Sequence, residues 1–256
     1  MAAISEPFAK GNSIFHRTDP RARLVSAFLL TVPMALLTTP WAAWLSLAIG
    51  LSLILPAAYN PGKVLTRLFV VNLFILFLWL FIPFSTPGQA VYNLGPLTMT
   101  REGLVMALLL TLKSNAVVLS LMALLGSIPV QSMGPAMQSL RVPAKLCHLF
   151  LFTFRYIFVI RNEYDTMTRA MAARGFRPRT NVHTYRSYAW LVGMLLVKSW
   201  DRAERVNNAM LCRGFKGRFY TLTDFNFTAG DIFFITSAAL LGMGITAYDL
   251  LQRGFI

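Results

Sequence analysis

Charge is what this sequence has least of: 13% of its residues are Asp, Glu, Lys or Arg, and the acids number ten against 24 Lys and Arg. An ordinary soluble domain carries about a quarter charged residues. Together with 56% hydrophobic residues and a mean hydropathy of +0.57 over 256 positions, the shortage excludes a water-surrounded globule and places the chain in a membrane. The net charge of +14 does not argue for nucleic acid, because a solvated basic face leaves apolar runs of 17 or 18 uncharged residues unexplained. Membrane insertion explains both, since cytoplasmic loops gather Lys and Arg.

Other absences narrow the function. Cysteine is limited to Cys147 and Cys212, both in a region assigned below to the cytoplasm, where a disulfide is disfavoured. No G-x-x-x-x-G-K-[ST] phosphate loop occurs, so the chain does not hydrolyse ATP in the P-loop manner. His16, His148 and His183 are far apart in sequence, and the adjacent pair Cys147-His148 lacks ligand spacing, so neither a metal nor another cofactor is expected. No nucleophile, base and orienter assemble from these residues, which argues against an enzyme. The first apolar run follows Lys10, Arg17, Arg21 and Arg23 and has no convincing cleavage site, so it reads as a retained span rather than a secretory signal.

What the sequence does have is apolar runs separated by turns. In His16-Arg17-Thr18-Asp19-Pro20-Arg21 the Asp-Pro step reads as a helix N-cap followed by proline at the first helical position. A first span is expected over about Ala22 to Leu37, then the uncharged turn Thr38-Thr39-Pro40. The second span is Trp41 to Ala58, with Trp41, Trp44 and Tyr59 as interfacial anchors. Lys63 and Arg67 mark the next turn as cytoplasmic. Leu68 to Phe84 is the third span, and the loop Ser85 to Thr100, free of Lys and Arg, is expected outside. Leu104 to Ile128 is the fourth, capped by Thr100 with Glu102 in its first turn. It carries Lys113 near its middle, a placement costing roughly 2.5 to 3.5 kcal/mol on insertion scales. Lys113 is expected to face the bundle and bond to carbonyls or Asn115, with a transport role as the alternative. Ile232 to Tyr248 is the fifth; counted from an inside N-terminus, it puts the C-terminus outside.

Between the fourth and fifth spans the character changes. Pro129 to Tyr220 holds 15 Lys and Arg against four acids, a net +11 that fixes it on the cytoplasmic side. The expected organisation is therefore 1–128, an N-terminal segment with four spans; 129–220, the cytoplasmic block; and 221–256, the last span and tail. Whether 129–139 is helix or loop is open.

Two amphipathic helices are expected in the block. Pro143 opens the first, with Leu149, Thr153, Tyr156, Ile160, Tyr164, Met167 and Met171 on one face and His148, Arg155, Asn162 and Arg169 on another. The second runs from about Ser187 to Cys212, with a stripe of Leu196, Trp200, Ala203, Asn207 and Met210, and an Asp201–Arg205 pair on the other side. Both end on one phrase. Ala170-Met171-Ala172-Ala173-Arg174-Gly175-Phe176-Arg177 is echoed 39 residues later by Ala209-Met210-Leu211-Cys212-Arg213-Gly214-Phe215-Lys216. The glycines read as left-handed caps, and an arginine just before one is held at the helix terminus with its guanidinium free to fork onto a carboxylate.

The doubled Ala-Arg-Gly-type motif, with Asp19-Pro20-Arg21 and Arg155-Tyr156, resembles the transmembrane T component of energy-coupling factor (ECF) transporters, and Ala209 to Phe215 looks like the cobalt-type CbiQ family; nickel and vitamin T components are the alternatives. The resemblance covers nearly the whole chain and departs from the pattern at Cys212, where alanine is usual. It implies an all-α polytopic protein of the bacterial cytoplasmic membrane with about five transmembrane helices and two coupling helices. It implies that Ala173-Arg174-Gly175 and Cys212-Arg213-Gly214 meet a dimer of ABC-type ATPase subunits, and that a separate substrate-binding (S-type) membrane subunit holds the cargo. A self-contained secondary transporter, with Lys113 and Asn72 lining a pathway, is the competing class; the lack of paired intramembrane acids disfavours it.

Overall fold

Helix starts follow from local capping chemistry. Asp19 accepts from the Arg21 N–H at 2.8 Å at the head of a helix over Pro20–Leu36 (α1), and Asn60 accepts from the Gly62 N–H at 3.0 Å at the head of Pro61–Ser85 (α3). Between them lies Pro40–Ala57 (α2). Thr100, as expected, caps Arg101–Leu125 (α4), with Glu102 in the first turn. The chain continues through Val130–Ser139 (α5), Ala144–Ala173 (α6), Val182–Cys212 (α7) and Ala229–Gly254 (α8). This computed structural model describes residue 15 and residues 18–57, 59–94, 97–216 and 227–254. The expected turn residues His16 and Arg17, the end of the second span at Ala58 and the connection around Arg218 and Tyr220 lie outside the described residues.

Two local expectations change, and the open choice at 129–139 is answered. The outside loop is not irregular: Ala90–Leu94 (β1) pairs antiparallel with Leu97–Thr100 (β2), a short hairpin in an otherwise helical chain. Residues 130–139 are helical. The second helix of the basic block starts five residues before the expected Ser187, because Asn181 caps it, accepting from the Thr184 N–H at 2.9 Å and from its hydroxyl at 2.7 Å.

The described residues form two compact units, one reaching to residue 136 and resuming at 225, the other covering 137–224. In the first, α2, α3, α4 and α8 are long and apolar enough to cross a membrane. At 17 residues α1 is about 25 Å long, at the lower limit for a bilayer, yet it runs between the same two ends as the others. At one end Asp19 meets Asp231 and Arg23 meets Ser127. At the other, Asp249 accepts from Thr38 and Thr39. Since Asp19 lies near the start of α1 and Asp231 near the start of α8, the two helices run parallel.

Small residues make the tightest contacts, as expected where lipid offers helices no hydrophobic drive to associate. The buried residues of α2 are Ala42, Ala43, Ser46, Gly50 and Ala57, and a Cβ on Gly50 would stand 3.0 Å from the Ala116 carbonyl of α4. Phe15, Ala27, Leu30, Ala57, Ala123, Leu124 and Ala238 form one core cluster; Met34, Leu37, Ala42, Ala116 and Ile245 form another. α3 buries little and shows Phe69, Phe74, Phe77 and Phe81 outward. Its hold on α4 is partly polar: Asn72 and Asn115 exchange reciprocal amide bonds at 3.0 Å, and the Trp79 indole donates to the Thr111 hydroxyl at 2.9 Å.

Candidate functional site

The repeated phrase folds into the same object twice. At the end of α6 the Phe176 N–H donates to the Met171 carbonyl at 3.1 Å and the Gly175 N–H to Ala172 at 3.0 Å; at the end of α7, Phe215 donates to Met210 at 3.0 Å and Gly214 to Leu211 at 2.9 Å. These are the paired bonds of a Schellman cap, which requires a left-handed residue after the helix. Gly175 has φ +82° and Gly214 φ +80°. The capping arginines are nearly superposable in backbone, Arg174 at φ −84°, ψ 11° and Arg213 at φ −88°, ψ 11°.

Capping therefore accounts for Met, Gly and Phe in the phrase: Gly takes the positive φ, while Met and Phe hold the two positions that commonly touch across such a cap. It does not account for the arginine. Ala173, Arg174 and Gly175 are exposed, as are Cys212, Arg213 and Gly214, whereas Phe176 and Phe215 are half-buried. Phe176 stacks edge-on against Tyr188 with centroids 5.9 Å apart, which fixes the chain leaving the first tip.

The two tips stand at opposite ends of an antiparallel helix pair. Met167, Ala170, Met171 and Arg174 share a recess of about 440 Å³ with Ser187, Trp190, Leu191, Met194 and Lys198. Farther along, residues of α6 from Phe152 to Ile160 share an apolar groove of about 410 Å³ with residues of α7 from Ser199 to Met210. Arg174 thus lies beside the start of α7 and Arg213 beyond its end; at 1.5 Å per residue the tips are roughly 40 Å apart along α7. Between recess and groove, Glu163 of α6 takes the Lys198 ammonium and, at 3.7 Å, the Arg202 guanidinium. The hydrogen bond from Lys198, foremost, holds the Glu163 carboxyl below its ordinary pKa.

Two expectations for these helices are corrected. Thr153, Tyr156, Ile160, Met167 and Met171 do line the α7 side of α6, but Leu196 and Trp200 are 68% and 76% exposed. Of the expected stripe, Ala203 and Met210 do line the side of α7 turned to α6, where they are joined by Leu191, Ser199, Arg202 and Val206. α7 carries two neighbouring apolar lines, and spacing alone does not say which is covered. The Asp201–Arg205 pair is not formed; among the described residues both ion pairs belong to Glu163.

Lys113 lies in the middle of α4. Its ammonium donates to the Ala35 carbonyl at 3.0 Å, a last-turn carbonyl of α1 without an intrahelical partner. Asn72 is engaged with Asn115 and the Leu68 carbonyl. Among the described residues no three His, Cys, Asp or Glu side chains converge as a metal site.

The profile of the cobalt transport protein family CbiQ matches residues 11–222. The energy-coupling factor transporter transmembrane protein EcfT of Ruminiclostridium cellulolyticum is 22% identical over 221 residues, 82% of each chain. The cobalt transport protein CbiQ of Rhodobacter capsulatus is 29% identical over 144 residues, 55% of this chain and 59% of that protein. A putative ABC transporter ATP-binding protein of Bifidobacterium longum is 26% identical over 196 residues, 68% of this chain and 24% of that protein.

Proposed function

We propose, from the premise that this chain belongs to the CbiQ cobalt transport protein family of ECF transporter T components, that it is the non-catalytic coupling subunit of an ATP-driven divalent-metal uptake system. The chain is a multi-pass membrane component of a transporter. Its finer role rests on one observation: two identically capped helix ends present one exposed arginine each, roughly 40 Å apart along α7. Two equivalent arginines call for two equivalent partners, and the partner proposed is a dimer of ABC-type ATPase subunits. The match to an ATP-binding protein, covering 68% of this chain, supports an association with that class.

In this reading each guanidinium forks onto an acidic residue of one ATPase subunit, an arrangement whose charge-assisted bonds are strong and directional. Ala173 and Cys212 keep the surface thin beside each arginine. When ATP closes the ATPase dimer, the two tips are displaced and α6 and α7 carry that displacement toward the bundle. A separate S-type membrane subunit holds the cargo, cobalt by the family's description, and is shifted between outward and inward states. Five passes are proposed for the bundle, α1 included, because it connects the same two ends as the longer helices.

Charge reversal at the tips tests the reading. Arg174→Glu and Arg213→Glu each place like charge against the partner's acid, a change expected to weaken that contact by roughly 2–5 kcal/mol. The expected outcome is loss of ATPase co-purification and of metal uptake with membrane insertion unchanged. Normal assembly and uptake in the double variant would sink it.

A further inference from the structure

The coupling unit is an insertion in the membrane unit: the membrane unit runs through α4 to residue 136, within α5, and includes α8 after the insertion. Its two roots, on the α4 side and the α8 side, are joined by buried polar groups that neither the arginine tips nor the cargo reading uses. Arg23, in the first turn of α1 and 3% exposed, donates through Nη1 to the Ser127 hydroxyl at 2.7 Å. Ser127 is fully buried just past the end of α4, on the outgoing root. Asp231, 3% exposed in the first turn of α8, lies on the returning root. It accepts the Thr228 N–H at 2.9 Å and hydroxyl at 2.7 Å, and the Asp19 N–H at 3.0 Å. Arg23 is within electrostatic reach of both Asp19 and Asp231, and Tyr59 closes the cluster, donating to the Met122 carbonyl at 3.2 Å. Four residues before Asp19, Phe15 packs into the same end of the bundle, its ring 5.8 Å from that of Phe234.

An arginine placed at this depth is expensive unless paired, and simple helix packing does not require one. What the head of α1 does is connect two segments far apart in sequence, Ser127 at the exit through the Arg23 guanidinium and Asp231 at the return through the Asp19 N–H. We infer that Arg23, Asp19, Ser127 and Asp231 form a tie that holds the two roots of the coupling unit together, so that displacement of its helices moves the bundle as one body instead of flexing the connections. These are positioning residues: they touch neither cargo nor ATPase. The inference rests on the coupling reading for its consequence, but the tie itself is a property of this chain.

Two variants probe the roots separately and leave both charged side chains, Arg23 and Asp231, in place. Ser127→Ala removes the acceptor at the exit, and Thr228→Ala removes one donor to Asp231 at the return, from an exposed position. Hydrogen exchange is measured on the full-length chain purified with its ATPase subunits. The expected result is roughly tenfold faster exchange, the size of one charge-assisted hydrogen bond. It should appear at Gly126 and Ile128 in Ser127→Ala and at Asp231 and Ile232 in Thr228→Ala. ATP hydrolysed per metal ion taken up should rise several-fold in both while assembly is unchanged. Unaltered exchange at both roots overturns the tie. Faster exchange with an unaltered hydrolysis-to-uptake ratio overturns its part in transmission. A wild-type chain that carries no ATPase overturns the coupling reading instead, and the exchange comparison on the chain alone still decides the tie.

Discussion

At the scale of single residues, most identities in the repeated phrase are dictated by the cap, and substitutions should separate cap from contact. A Cβ added at Gly175 or Gly214 would meet nothing within 4 Å, so alanine there faces no clash, only a backbone at φ near +80°. That conformation costs an L-residue about 1–2 kcal/mol. Gly175→Ala should therefore fray the last turn of α6 and weaken ATPase co-purification partially, whereas Arg174→Glu abolishes it with the cap intact; exchange at Phe176 distinguishes the two. Lys113 is a case of opposing terms. Replacing it by Met leaves the Ala35 carbonyl short of a donor, about 1–3 kcal/mol, but relieves an intramembrane ammonium worth roughly 2.5–3.5 kcal/mol on insertion scales. Lys113→Met should shift thermal stability by under about 2 kcal/mol and leave uptake per folded molecule unchanged; lost uptake in a stable variant would favour a pathway through the bundle.

At the scale of elements, what the sequence disclosed was local and what it hid was long-range. The caps at Asp19, Thr100, Gly175 and Gly214 depend on neighbours within a few positions, so spacing reveals them. Asp231 and Asp249 sit just outside the fifth run and read as ordinary flanking charges, because their partners Asp19, Thr38 and Thr39 lie 210–212 positions away. The Asn72–Asn115 exchange and the clasp at Glu163 were hidden for the same reason, whereas the hairpin at 90–100 had a turn dipeptide in its sequence, Gly95-Pro96, and was expected only as a loop. Glycines in α8 make this concrete. Pro33 leaves the Leu29 carbonyl without its helical donor, and a Cβ on Gly242 would stand 2.5 Å from that oxygen; one on Gly244 meets nothing within 4 Å. Gly242→Ala should destabilise the bundle by about 1–3 kcal/mol, and Gly244→Ala should be neutral or stabilising by up to about 1 kcal/mol, read as thermal midpoints in detergent. In the α6–α7 pair, the Glu163 carboxyl is held below its ordinary pKa by Lys198 first and Arg202 after it. Its contribution is then present above the usual carboxylate value of about 4.3 and lost as pH falls through the depressed one. Protease resistance of α6 and α7 should fall with acidification in the wild type, and Glu163→Gln should show the lower resistance already at neutral pH.

At the scale of the whole molecule, the two buried aspartates of α8 fix a direction that composition left weak. Asp231 and Asp249 are 18 positions apart, five helical turns, so they share one face about 27 Å from each other, close to a hydrocarbon core. Each is tied to a different end of α1: Asp231 to Asp19 before it, Asp249 to Thr38 and Thr39 after it. A slip of α8 by even one turn, about 5.4 Å, would break both attachments together. Parallel α1 and α8 both start at one end of the bundle and finish at the other. The end holding Arg23, Ser127 and Asp231 is where the chain departs into its most basic block, net +11 over Pro129 to Tyr220, and on that charge bias we propose that this end faces the cytoplasm. Asp249, the Thr38-Thr39 turn and the hairpin then lie outside. Alkaline phosphatase, active only when exported, should be active when fused after Ile256 or inserted at Gly88, and inactive when inserted after Arg179. Activity after Arg179 or silence after Ile256 would reverse the assignment, and with it the side on which Arg174 and Arg213 meet their partners.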